Sequence, residues 1–231
     1  MKEEEEQQAA QGSRRGGKMT ENSYQLLEQE ERKEQYIALM KELLTAYYEG
    51  AHARIQKAPN QQKKEWKKGL IKVLERAAKD LRELIYNGQK GRIQYVHFSY
   101  LLSGALSEEL LIRLDAYDKR YYRDVEEVEC YWDYSSIFPD FSAEFNRLAE
   151  ELRKRMIRVQ SSEVSRLKIG MMVLNAVIME TVLSEMIISK EVEQLLEEFC
   201  EEKACILYGT YLDQAEVIHQ LGGGQDEILS S

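Results

Sequence analysis

Between residues 92 and 134 the apolar side chains stop recurring every three or four positions and begin to alternate, while the stretches on either side keep the helical spacing. That switch excludes an all-helical bundle. A strand segment must find partners, and the amphipathic helices flanking it must find something to cover. RIQYVHFSYLL, LLIRLDAY and EVECYWDY are rich in β-branched and aromatic residues, with Gly104 and Asp118-Lys119 placed to turn the chain. The expectation is a three-stranded antiparallel meander over 92–134. On its last strand, alternation sends Val128, Cys130, Trp132 and Tyr134 to one side and Glu127, Glu129, Tyr131 and Asp133 to the other.

Before the meander, Tyr36, Ile37, Met40, Leu43, Leu44, Tyr47, Tyr48, Ala51 and Ile55 mark one long helix that ends near Pro59, with Asn60 available to cap the next. A second helix carries Trp66, Leu70, Val73, Leu74, Ala77, Leu81, Leu84 and Ile85 on one stripe and stops at Asn87-Gly88. The short link predicts an antiparallel hairpin over 22–88. After Pro139, Asp140 can cap a helix buried through Phe141, Phe145, Leu148, Leu152 and Met156. The Met-rich helix starting at Ser161 or Ser162 places Ile169, Met172, Ala176, Met179, Leu183 and Met186 on a stripe. Its run 169–188 approaches the length of a membrane span, but Asn175, Glu180 and Glu185 interrupt it, which predicts a buried core helix. A helix near Val192 to Cys200, a short strand at 204–209 and a last helix over YLDQAEVIHQL complete the helical part, 140–221.

The fold class expected is therefore α+β and mainly helical: a long N-terminal helical hairpin, a small antiparallel meander, and C-terminal helices including the buried Met-rich one. Residues 22–221 read as a single domain. Residues 1–21, with four consecutive glutamates, read as a disordered acidic tail, and 222–231 as a flexible one. The N-terminus has no apolar core of a signal or anchor, and three cysteines form no disulfide framework, so a cytoplasmic location is expected.

The charge is unevenly spread. From Arg54 to Arg92 the chain holds 12 Lys plus Arg against 4 Asp plus Glu, within a total of −9. Lys64, Lys68, Lys72, Lys79 and Arg82 follow at helical spacing on the second helix, a face that could meet phosphates, an acidic protein surface or this protein's own acidic remainder. Seven of the fourteen tyrosines lie between Tyr95 and Tyr134. If the meander forms, Arg113, Asp115 and Tyr117 neighbour Glu129 and Tyr131, with Arg113 bridging to Glu129. Tyr117, Tyr121, Tyr122 and Tyr131 are the residues expected at the centre of any binding surface. His97 is expected to be a structural histidine on the same strand face as Tyr95 and Ser99.

No nucleophile elbow, phosphate loop, dinucleotide fingerprint or kinase set is present. No cofactor is implied, and Cys200, Cys205 and His219 lack the paired spacing of a metal site. The function expected is a non-enzymatic macromolecular interaction or regulatory role, with another protein as partner, no membrane, and self-association compatible with it. Nucleic-acid binding through the basic helix face is one alternative. The other is a metal-dependent hydrolase or nuclease using the meander's acids: Asp115, Asp118, Asp124, Glu126, Glu127, Glu129 and Asp133. No physical requirement is evident for Gly209, Tyr211 and Asp213.

Overall fold

The computed structural model describes residues 21–107, 109–211 and 214–222, without the side chains of 21–28, 106, 107 and 122. All but one residue of each expected tail lies outside the described residues, as does Asp213. The chain divides into two units within its first helix, residues 1–41 and 42–231. The first contributes the opening turns of α1 (Glu21–Gln56). The second holds the rest of α1 and every later element.

Here the last turns of α1 bury Leu43, Tyr47, Ala51 and Ile55 at a spacing of four. α2 (Asn60–Tyr86) buries Trp66, Leu70, Leu74, Ala77, Ala78 and Leu81, the stripe expected from periodicity. Pro59 occupies the N-cap position and Asn60 is already helical, so the anticipated asparagine cap does not form. The antiparallel neighbour of α1 is α3 (Phe141–Arg155). Arg155 grips Glu42 with two hydrogen bonds of 2.6 and 2.8 Å, and Arg54 meets Glu144 at 2.6 Å, which fixes both ends of that pair. α2 packs on the sheet's third strand and on α5 (Lys190–Glu197).

α4 (Ser161–Ile187) is the Met-rich helix, opened by a capping box in which Glu163 accepts from the Gln160 N–H. It is buried over much of its circumference through Leu167, Met171, Met172, Ala176, Met179 and Leu183, whereas Ile169, expected on the buried stripe, is exposed. Asn175 is fully buried and accepts a 2.6 Å hydrogen bond from the Tyr47 hydroxyl, tying α1 to α4. Among the described residues α4 is the one helix long and apolar enough to cross a membrane, and more than half of its apolar window is buried inside the molecule.

The strands are β1 (Ile93–Tyr100), β2 (Leu111–Tyr117), β3 (Glu129–Asp133), β4 (Cys200–Thr210) and β5 (Ala215–Gln220). They form one sheet in the order β3-β2-β1-β4-β5. The three meander strands pair antiparallel in succession, as their alternation requires. β4 is longer than the expected short strand and joins β1 in parallel, so the chain crosses over through α3, α4 and α5 to reach the far side of β1. The last helix expected over YLDQAEVIHQL does not form in its described part: residues 215–220 pair antiparallel with β4 as β5. The period-two order of that segment is short, and ladder bonding to β4 overrides its modest helical signal.

One face of the sheet carries Val96, Phe98, Ile112, Leu114, Cys130, Trp132, Ile206 and Tyr208, all buried. The helices meet the sheet here. The Tyr208 hydroxyl donates to the Ala176 carbonyl at 2.8 Å, and Gly69 brings α2 so close to Trp132 that a Cβ there would lie 3.0 Å from the indole nitrogen. Trp132 is core, as alternation predicts.

Candidate functional site

The opposite face of the sheet follows from the registers. One row runs Tyr117, Tyr95, Cys205, Gln220 across β2, β1, β4 and β5; the next runs Glu129, Asp115, His97, Leu207, Val217 from β3 to β5; the third runs Tyr131, Arg113, Ser99, Gly209, Ala215. Side chains of alternate residues meet there because of strand geometry alone. This face gathers His97, Arg113, Asp115, Tyr117, Glu129 and Tyr131, and the β2–β3 loop adds Tyr121. The Tyr122 side chain lies outside the described residues.

Arg113 is its polar centre. Its Nε donates to both Asp115 oxygens at 2.8 and 2.9 Å, and its terminal nitrogens pair with Asp115 at 2.7 Å and Glu129 at 2.8 Å, the cross-strand bridge expected from alternation. The guanidinium lies 4.4 Å from the centre of the Tyr211 ring. Ser99 and Gly209, next to Arg113 in the row, leave room for a long side chain to lie across the sheet. Burial opposes the Arg113 charge, but Asp115 bonding, with Tyr211 and Glu129, raises its pKa above arginine's usual value. Burial likewise raises the Asp115 carboxyl, against the pull of Arg113 and His97. His97 is buried and its pKa is lowered by that burial, with Asp115 opposing. Among the described residues its Nε2 and the Ser99 hydroxyl have no hydrogen-bond partner.

The aromatic part stands beside this cluster. Tyr121 bridges two strands, its ring 4.7 Å from that of Tyr95 and 5.3 Å from that of Tyr117. It does so with φ of +50°, the left-handed region that bulky residues avoid. A knot of buried charge holds the loop in that shape. Lys90, between α2 and β1, donates to Asp124 and to the Glu126 carbonyl at 2.5 Å each, its side chain and that of Asp124 almost wholly buried. Asp124 also accepts from the Asp118 N–H at 3.0 Å and from Arg120 at 3.2 Å. Asp118 accepts from the Arg120 side chain and from the backbone N–H groups of Arg120 and Gly91. Those Arg120 bonds, aided by the backbone donors and opposed by burial, hold the Asp118 carboxyl well below the usual carboxylate range. Tyr121 N–H bonds the Asp118 carbonyl and the Asp124 N–H bonds the Tyr121 carbonyl, both at 2.9 Å, closing a tight turn around the strained residue.

Four of the meander's seven candidate acids are thus engaged by internal cations: Asp115 and Glu129 by Arg113, Asp118 by Arg120, and Asp124 by Arg120 and Lys90. Among the described residues no group of three or more His, Cys, Asp or Glu converges as metal ligands. His219 turns toward Glu193, at 3.3 Å, and Cys200 is buried at the start of β4.

The basic stripe keeps Lys64, Lys68, Lys72, Lys79 and Arg82 exposed, in keeping with a solvated face. Lys68 pairs with Glu65 at 2.8 Å and Arg82 with Glu198 at 3.3 Å, while the adjoining Lys63 and Lys67 face Glu185 and Glu191.

Tyr211 and Gly209 belong to the site although no rule of spacing marks them. A Cβ on Gly209 would fall 2.1 Å from the Gln214 carbonyl oxygen, so glycine is what lets β4 turn back closely into β5. Val217 reaches the face only because residues 215–220 are a strand. In comparisons with protein-family models, curated proteins and solved structures, nothing matches this chain.

Proposed function

We propose that this is a non-enzymatic binding protein of the cytoplasm whose open sheet face docks a basic segment of another protein. The observation that carries the reading is Tyr121. A backbone strain on the order of 1–2 kcal/mol is maintained by a buried ion cluster, and its evident product is a third ring beside Tyr95 and Tyr117. Strain held in place at an aromatic surface favours recognition over mere stability. The sign of the face selects the partner. Asp115, Glu129 and Asp133 outnumber Arg113 among the charged residues of β2 and β3, which disfavours phosphate and favours Lys or Arg side chains. Tyr131 is 44 % exposed and Tyr211 37 %, offering rings on which such cations can lie.

The test is affinity capture from the native cell extract with wild-type protein, a Tyr121→Gly variant, a Tyr131→Ala variant and a Lys64→Glu/Lys68→Glu/Lys72→Glu variant. The expected result is a stoichiometric protein, crosslinked through a Lys- or Arg-rich segment, kept by the stripe variant and lost from both tyrosine variants. A partner that survives in the tyrosine variants and disappears with the stripe, or captured nucleic acid that does so, would overturn the reading.

A further inference from the structure

A cleft of about 370 Å³ opens where the end of α1, the first turns of α2 and the C-terminal half of α4 meet. It is remote in the fold from the open sheet face, since these helices lie on the sheet's other side. Its floor is apolar, lined by Ile55, Trp66, Ile178, Val182 and Met186. Its rim is cationic. Lys63, Lys64 and Lys67 stand on α2, a single carboxylate, Glu185, faces them from α4, and His52 closes the α1 side. Lys63 comes no nearer to Glu185 than 3.9 Å, while Lys67 is paired at 2.6 Å with Glu191, which does not line the cleft.

The start of α2 adds charge of the same sign. Asn60, its first residue, lines the cleft; no side chain caps the first turn and no acid lies in it, so unsatisfied N–H groups and the positive end of the helix dipole are left there. A cavity of this size with an apolar lining and a few convergent polar groups has the form of a small-ligand site. A plain hydrocarbon would leave the cations unused, and a small inorganic anion would leave the floor unused.

We propose that the cleft binds a free single-chain carboxylate amphiphile, with its hydrocarbon chain over Ile178, Val182 and Met186 and its carboxylate between Lys63 and Lys64. The experiment is calorimetric titration of the full chain with sodium decanoate below its micellar concentration, with decanol and decylamine as neutral and cationic counterparts. The expected result is saturable one-to-one binding of decanoate, weaker binding of the other two, and an affinity about tenfold lower in Lys63→Glu/Lys64→Glu. Both lysines are surface residues, and circular dichroism of the variant verifies that it folds. Equal binding of all three amphiphiles, unchanged affinity in the folded variant, or adsorption to phosphatidylglycerol vesicles without uptake of monomeric decanoate would each overturn the proposal. The Tyr121→Gly protein should bind decanoate as wild type does, which separates this site from the sheet face.

Discussion

Tyr121 and Asp118 sit three residues apart and divide the work of the β2–β3 loop: one is strained and presents a ring, the other is a carboxylate that keeps the strain in place. The pairing with Arg120 places the folded pKa of Asp118 below its unfolded value of about 3.9. Its contribution to stability is therefore present above that unfolded value and is lost as pH falls through the folded one. Asp118→Asn should lower stability at neutral pH and flatten the decline of stability below about pH 4, measured by urea unfolding across that range. A curve parallel to wild type would mean that the Asp118 bonds contribute nothing net. None of this was legible in the sequence. A run of acids beside Lys and Arg reads equally as a solvated edge, a metal site or an internal knot, and only the return of Lys90 from the preceding loop decides among them.

At the level of elements, a pair of helical glycines, Gly50 and Gly69, shows how far local rules reach. A Cβ at Gly50 would meet nothing nearer than Arg54 at 4.0 Å, whereas at Gly69 it meets the Trp132 indole at 3.0 Å. Gly50→Ala should stabilise the protein by about 0.5–1 kcal/mol through helix propensity. Gly69→Val should destabilise it by about 1–3 kcal/mol, because α2 must move off β3 or Trp132 must leave its rotamer. Paired thermal-unfolding curves check both signs. The helices and the meander were readable because their apolar periods are long or strongly alternating, and the Arg113–Glu129 bridge followed from the register. β5 was not readable. Residues 215–220 are six positions whose strand character depends on ladder bonds to β4, and with β5 went Val217 and the reason for Gly209 and Tyr211. The packing of α3 on α1 was not readable for a related reason: the Glu42–Arg155 and Arg54–Glu144 pairs join them across about a hundred residues of chain, and no local rule marks them.

For the molecule as a whole, the uneven charge of the sequence becomes an internal match. The basic α2 faces acids of α4, α5 and the residue after it through Lys63–Glu185, Lys67–Glu191 and Arg82–Glu198. Lys67→Glu should lower the urea midpoint slightly, and adding Glu191→Lys in the same chain should restore most of the loss. Recovery should shrink at high salt, since both groups lie near solvent. The parallel pairing of β1 with β4 has a different kind of consequence, one of timing. During synthesis β1 leaves the ribosome about a hundred residues before β4, so the nascent meander waits with one edge of its future central strand unpaired. For that interval IQYVHFSY is a template for any other extended chain, and the yield of native protein in a crowded cell depends on how quickly translation and chaperones deliver the strand that closes it.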